Sequence, residues 1–436
     1  MTRKRKGILM EKKNLTDKIG KREWTLIWIV GLAGQLCWNV ENQWFNTFIY
    51  AKIGPYSEII SWMTAVSSIV TTFSTFFWGT WSDRKGKRRP FIFIGYILWG
   101  IFTILFGVSE FLPKNEIVAA AVMVVAMDAL MSFFGSMGND AAFSSWTTDI
   151  SNEKNRGQIG AAMAALPIIA TIVGTVVSGI LISILDYFMF FIIMGVSVMI
   201  IGALGFVFMK EGENLKPNRD EKGFWHQVFS VFNFKTVKEN KELFCVFLVS
   251  CVYFICFNFY YAHIGNYFIY TLGYDEGTSG ILQGVGLGLA ILATIPATKA
   301  INNGQHMKMI VASVIFSVIG LFVIGFAGGT IALLLPGIIL AGIGYVLIMQ
   351  TTTAWMKNLY PEGNFGQFEG VRIIFNVMIP MVLGPSTANL IIKAFGNPVV
   401  INGNEGMAPS NVLFFVAGVL SVLTLIPTYF ASKQKK

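Results

Sequence analysis

Charge is what this chain is short of: Asp, Glu, Lys and Arg make up 13% of its 436 residues, roughly half of the ~25% usual for a soluble domain. That scarcity excludes a water-soluble layout, and with 54% hydrophobic residues the main solvent must be a bilayer. Strict alternation of apolar and polar residues is also missing, since runs such as 331–340 are apolar at successive positions, which excludes a membrane β-barrel. No Gly-x-x-x-x-Gly-Lys-Ser/Thr loop occurs, which removes that route to ATP as a power source. Cysteine is limited to Cys37, Cys245, Cys251 and Cys256, all inside apolar runs without metal-ligand spacing. They read as small packing residues, so neither a metal centre nor a cofactor is implied.

What the chain has instead is length in its apolar runs. Twelve stretches reach about 20 residues, enough to cross ~30 Å of hydrocarbon: 24–50, 57–81, 91–110, 117–142, 158–182, 188–210, 243–270, 277–301, 308–328, 331–353, 367–392 and 411–431. Of the 33 basic residues, all but Lys52, Lys114 and Lys393 fall in the tail before Trp24, in alternate connections, or after Ala431. By the positive-inside rule both termini lie in the cytoplasm of a multi-pass protein of the cytoplasmic membrane. Topology and anionic lipid thus explain the net charge of +9 better than nucleic acid does. The basic start followed by an apolar run imitates a secretory signal, but the run is too long and lacks a small-residue cleavage site.

The second half echoes the first. Trp38-Asn39 recurs as Phe257-Asn258, Gly86 matches Gly304 in the turn Asn302-Asn303-Gly304-Gln305, and Asn155-Arg156-Gly157-Gln158 resembles Asn364-Phe365-Gly366-Gln367. Three echoes in the same order favour two six-helix halves. The expected organisation is a basic tail (1–23), a first bundle (24–210), a charged linker (211–241) with a surface-lying helix around 224–234, a second bundle (242–432) and a short tail (433–436).

Five cations crowd the turn at 82–90 between two membrane-length runs. Its Ser82-Asp83-Arg84, followed by Gly86-Lys87-Arg88-Arg89-Pro90, resembles the signature of the major facilitator superfamily between its second and third helices. It is most similar to that of the glycoside-pentoside-hexuronide:cation symporters and the related sucrose transporters. Asp149 and Arg156-Gly157 also fit the cytoplasmic pattern of that group. The resemblance covers nearly the whole chain and implies an all-α membrane protein of two pseudo-symmetric bundles that moves a sugar or glycoside by alternating access, coupled to a cation. A departure shifts the expectation from sodium toward protons, with sodium still open: melibiose-type symporters carry acidic residues deep in helix 2, where this chain has only Glu58 at the outer edge.

Ionisable groups persist in hydrocarbon only at a cost, so each is a functional candidate. Glu41, Asp128, Asp140 and His263 are the deep ones, and no lysine or arginine sits at comparable depth. A carboxyl without a cationic partner suits a proton that is bound and released, which makes these four the coupling candidates. At about 100° per residue, Gln35, Asn39, Asn42 and Asn46 form one stripe on helix 1 with Gln43 beside it, while Glu41 points elsewhere. Asp128, Ser132, Ser136 and Asn139 repeat the pattern on helix 4. Amides and hydroxyls suit a polyhydroxyl ligand, and aromatic faces suit sugar rings, which adds Trp38, Trp44, Asn258, Tyr261, Asn266 and Tyr267. Gln283, Gln350 and Asn376 complete the substrate-binding candidates. A structural role competes, since such groups also glue helices together for ~0.6 kcal/mol per contact.

Gating falls to Asp83, Arg84, Arg88, Asp149 and Arg156, where an ion pair made on one side and broken on the other would switch access. Two other functions compete: proton-coupled export of an amphipathic compound, and, remotely, an intramembrane hydrolase using Ser197 of Gly195-Val196-Ser197 with His263. The expected partners are a small-molecule substrate, a proton or sodium ion, and the lipid bilayer. No nucleic acid is implied, and a monomer is expected.

Overall fold

The computed structural model describes residues 19–151, 155–212, 215–218, 223–229, 239–360 and 365–434. Ten helices among them are long and apolar enough to cross a membrane. One of these, Gly157–Phe208, has 52 residues and would extend ~78 Å if straight, over twice the hydrocarbon thickness. It breaks at Asp186, where φ is 65° and ψ 167°, and so contains two crossings. A further helix, Lys21–Phe48, is long enough to span but carries Glu41 and its amide stripe. The twelve crossings expected from the apolar runs are thus present.

They are α1 (Lys21–Phe48), α2 (Ser57–Lys85), α3 (Arg89–Val108), α4 (Ile117–Asp149), α5 (156–185), α6 (187–208), α7 (Lys241–Thr271), α8 (Glu276–Thr294), α9 (His306–Phe326), α10 (Ile331–Leu359), α11 (365–395) and α12 (Val412–Gln434). A short helix, Phe224–Phe229, lies in the linker, and residues 230–234 of the surface helix expected there are outside the described residues. A hairpin joins α11 to α12: β1 (Asn397–Ile401) pairs antiparallel with β2 (Asn404–Ala408) around Asn402 and Gly403, both with positive φ. Asn-Gly between strands is the strongest short hairpin signal, and it stands openly in the sequence.

Duplication is visible in the backbone. Gly86 (φ 62°) and Gly304 (φ 73°) both turn the chain through the left-handed region, which a glycine enters without steric cost. Both α1 and α7 end in a five-residue π-helical turn, Ile49–Ile53 and Tyr267–Thr271. The halves meet through α2 with α11, α5 with α8, and α1 with α7. Exchanging the halves converts the first pairing into the second and maps the third onto itself, as a pseudo-two-fold axis requires. Of the third echo, position 364 lies outside the described residues.

One face carries the basic turn, the linker and the α4–α5 connection; the opposite face carries the hairpin and the α1–α2 and α7–α8 turns. On that opposite face two of the three stray lysines are paired. Lys52 bonds Asp186 and stands 3.6 Å from Glu110, and Lys393 stands 3.4 Å from Glu58. Two large apolar clusters fill the halves, one around Trp44, Phe106 and Phe191, the other around Phe259, Leu321 and Phe414.

Candidate functional site

A cavity of about 280 Å³ lies midway along the helices between the two halves, close to the lower end of the ~300–1,000 Å³ typical of ligand pockets. One wall comes from α1 and α5: Gln35, Trp38, Asn39, Asn42, Pro167, Thr171 and Thr175. The other comes mainly from α7, α8 and α10 and includes Phe254, Phe257, Asn258, Tyr261, Gln283 and Tyr345. Both members of the first sequence echo, Trp38-Asn39 and Phe257-Asn258, therefore face the same space.

The walls differ in chemistry. On the first, Asn42 gives its Nδ2 to the Trp38 carbonyl (2.7 Å). Thr175 donates to Oε1 of Gln43 (2.9 Å) and accepts from Nδ2 of Asn39 (3.3 Å), so a threonine of α5 fixes two amides of α1. On the second, Asn258 likewise bonds its own helix at Phe254 (2.9 Å). Tyr261 stacks on Phe257 (4.7 Å, 22°) and Phe257 on Tyr345 (4.5 Å, 20°), a continuous three-ring face. Two amides tied back to their own helices leave their carbonyl oxygens for a hydroxyl donor, and stacked rings offer a flat apolar surface.

Glu41 faces away from this cavity, into the first half. Its Oε1 accepts from Ser67 of α2 (2.5 Å) and from Ser132 of α4 (2.9 Å), and the two hydroxyls lie 2.9 Å apart. Asp128, one turn before Ser132, is 1% exposed, and neither of its oxygens has a hydrogen-bond partner. Asp140 sits in the π-helical stretch Ser136–Phe143 and accepts from Asn139 (2.9 Å), with Trp38 also in hydrogen-bonding reach. Such bulges frequently mark functional sites. Trp38 thus touches both the cavity and the carboxyl behind it.

Other predicted residues lie elsewhere. Trp44 is fully buried and wedged against Gly179 of α5 and Gly280 of α8, where the halves meet. Asn46 and Asn266 join α1 to α7, the Asn266 amide donating to the Asn46 carbonyl (3.1 Å). Gln43 and Ser132 are buried behind the wall, and Gln350 and Asn376 do not line the cavity. His263 is fully enclosed beside the backbone of Pro385, whereas Ser197 is exposed on α6, so no Ser–His pair forms. Thr171, Thr175, Ser67, Phe254 and Tyr345 were not foreseen. A Thr171–Thr175 repeat one turn apart was the available signal for α5, and the hydroxyl-rich run of α2 the signal for Ser67.

On the opposite face the cavity is roofed by bonds between the halves. Ser61 donates to the Pro385 carbonyl (3.0 Å), Ser57 to Asn389 (2.7 Å) and Tyr50 to the Met407 carbonyl (2.9 Å). From the hairpin, Asn402 and Asn404 donate to the carbonyls of Ala51 (2.7 Å) and Ile53 (2.9 Å). On the basic face, Arg88 is 4% exposed and is held by Asp83 (2.6 Å), Asp149 (2.8 Å) and Ser82 (2.5 Å), while the backbone N–H groups of Arg88 and Arg89 donate to Glu211. Burial lowers the guanidinium pKa, but Asp149 and Asp83 outweigh it and the net shift is upward, so Arg88 stays charged. Arg84 bonds Gln227 of the linker (3.1 Å), and the Arg156 side chain lies outside the described residues.

Residues 27–385 match the Major Facilitator Superfamily. The chain belongs to that family. In structure it is similar to the peptide transporter POT in complex with alafosfalin (TM-score 0.72, 13% identity, 96% of this chain and 97% of that one). It is also similar to the nucleoside transporter NupG (0.69, 10%, 95% and 100%) and to a bacterial homologue of the iron transporter ferroportin in the inward-facing state (0.69, 11%, 95% and 98%). No curated protein matches it in sequence. Family and fold together point to a membrane transporter of a small molecule.

Proposed function

We propose that this transporter moves a sugar or glycoside across the cytoplasmic membrane by alternating access, with a proton as the coupling cation and both termini in the cytoplasm. The observation that carries this reading is the two-sided cavity, with Asn39 and Asn42 opposite the Tyr261–Phe257–Tyr345 stack. Amides meet hydroxyl groups and rings meet the apolar face of a pyranose. The basic turn, most similar to that of the glycoside-pentoside-hexuronide:cation symporters, supports the same substrate class. Glu41 and Asp128 serve coupling: Glu41 is held by Ser67 and Ser132, Asp128 lies one turn before Ser132 with its own oxygens unpartnered, and neither carboxyl has a basic partner. Arg88 with Asp83 and Asp149 forms the basic-face gate, with Arg84 bonded to the linker on the same face.

A thermal-shift screen of purified protein against mono- and disaccharides at two pH values tests the substrate class, because any ligand that binds only the folded state raises the melting temperature. Stabilisation by at least one sugar is expected; a flat response across the panel counts against the reading. Sugar-driven alkalinisation of the medium around energy-depleted cells tests the proton. The oxygens of Glu41, Asp128, Ser67 and Ser132 would also suit sodium, and accumulation that follows a sodium gradient without alkalinisation would assign that ion instead.

A second reading is favoured by the apolar share of the cavity, where Phe254, Ile264, Leu287, Ile324 and Ile338 line the second half. It is proton-coupled export of an amphipathic compound. Counterflow with radiolabelled sugars separates the two, since an exporter of amphipaths gives no sugar exchange.

A further inference from the structure

We propose that the cleft between the end of α2 and the linker helix Phe224–Phe229 binds the headgroup of an anionic phospholipid from the leaflet on the basic face, with an acyl chain lying along α2. The cleft has a volume of about 410 Å³ and is lined by Phe77, Trp81, Arg84, Lys85, Phe224 and Trp225. Four rings form its floor: Phe77 meets Trp81 (5.4 Å), Phe224 (5.4 Å) and Trp225 (6.1 Å). Rings at the end of a membrane-spanning helix occupy the depth of the headgroup belt.

Two cations stand at the mouth. Arg84 lies over the Phe224 ring (5.9 Å) and bonds Gln227 (3.1 Å), which fixes its guanidinium beside the cleft, and Lys85 is exposed next to it. A phosphate takes bidentate bonds from an arginine and a point charge from a lysine. The apolar route is equally defined. Trp62, Ile69 and Phe73 share one face of α2 and are 67%, 49% and 43% exposed, a stripe that only hydrocarbon covers favourably, and Phe77, stacked on Phe73 (5.8 Å) one turn on, carries it into the cleft. Trp225 and Phe229, 53% and 55% exposed on a short linker helix, extend it past the end of α2. Charge at one end and a hydrocarbon-facing stripe leading away from it match a lipid, whereas a soluble anion would use only the cations.

Native mass spectrometry of the full chain, incubated with equimolar phosphatidylglycerol and phosphatidylcholine, reads the site directly. The wild type is expected to retain phosphatidylglycerol in preference by about tenfold or more, as two cations near a membrane surface predict. Arg84→Gln with Lys85→Gln should bring the ratio close to parity, while Lys299→Gln with Lys308→Gln, on the same face but away from the cleft, should leave it unchanged. Phe224→Ala with Trp225→Ala removes the linker rings without touching α2 and should also lower retention, which gives a reading even where the charge variant fails to assemble. Full preference in either cleft variant overturns the proposal. So does displacement of the bound lipid by soluble glycerol phosphate, which would assign the cleft to a free anion. None of these outcomes depends on which substrate fills the central cavity.

Discussion

The two halves solve one structural problem in different chemistries. Arg88 stands two residues after the left-handed Gly86, and His306 two residues after the left-handed Gly304. Arg88 directly precedes α3 and His306 begins α9, and both are buried. Arg88 is satisfied by carboxylates from α2 and the end of α4, whereas His306 stacks on Trp355 of α10 (5.1 Å, 25°), whose indole N–H donates to Glu242 (2.9 Å). The first half repeats this preference deeper down, where it keeps Glu41, Asp128 and Asp140, while the second lines the cavity with stacked rings. The halves keep one backbone plan and differ in side chains: buried carboxyls in the first, stacked rings at the cavity in the second.

Removing the charge centre tests that division most severely. Arg88→Ala removes the buried cation, and since Asp83 and Asp149 keep partial access to water (41% and 20% exposed) the cost should stay below the ~3–5 kcal/mol of a fully buried pair while remaining the largest of these effects. Thermal unfolding in detergent should show it, and His306→Ala should cost clearly less; equal losses would erase the contrast. Next in size, Glu41→Gln or Asp128→Asn should lower the accumulation ratio by about tenfold or more, the scale of a typical coupling free energy, while counterflow persists. Unaltered accumulation in both would remove the carboxyls from the mechanism.

The aromatic lobe is sharpened by smaller changes. Tyr261→Leu breaks the ring stack and should raise KM for the transported solute by about tenfold, in line with ~0.5–1.5 kcal/mol for a lost ring pair added to lost contact area. Asn42→Ala on the facing wall should raise it about fivefold, as one hydrogen bond predicts. An amphipath exporter would instead tolerate Asn42→Ala and respond to Tyr261→Leu alone. The smallest effect belongs to Asp275, which caps α8 by accepting from the backbone N–H of Thr278 (2.9 Å) and from its hydroxyl (2.7 Å). Those bonds hold its carboxyl below its ordinary pKa, so the stabilisation is present above the unfolded value and is lost as pH falls through the folded one. Asp275→Ala should therefore cost at most about 1 kcal/mol near neutral pH, and should converge with the wild type in melting scans below about pH 4.

The fold was legible because hydrocarbon imposes length and composition on every crossing, and because the glycines at 86 and 304 keep a conformation that other residues avoid. The first wall was legible for the same reason: an amide such as Asn39 or Asn42 inside an apolar helix is expensive unless something wet or polar lies opposite, and the 100° spacing tells that Glu41 looks another way. The second wall was not. Phe254, Phe257 and Tyr345 carry the same apolar signature whether they meet lipid, core or cavity, and only the tertiary arrangement distinguishes those surroundings. Ser67 escaped because most hydroxyls of α2 simply bond back to their own helix, as Thr64, Ser68 and Thr72 do. Trp44 misled in the other direction, since a tryptophan near the amides looked like a sugar platform and is instead a wedge between α1, α5 and α8.

The ribbon at 397–408 has a kinetic consequence. Its asparagines hold main-chain oxygens of the other lobe, so the lobes cannot part on that side without first surrendering those bonds and baring polar atoms. Under alternating access, trimming Asn402 and Asn404 to alanine should therefore shorten the dwell in the shut posture without altering anything that lines the central cavity. Engineered cysteines at positions 51 and 402 would report that dwell as a cross-linking rate.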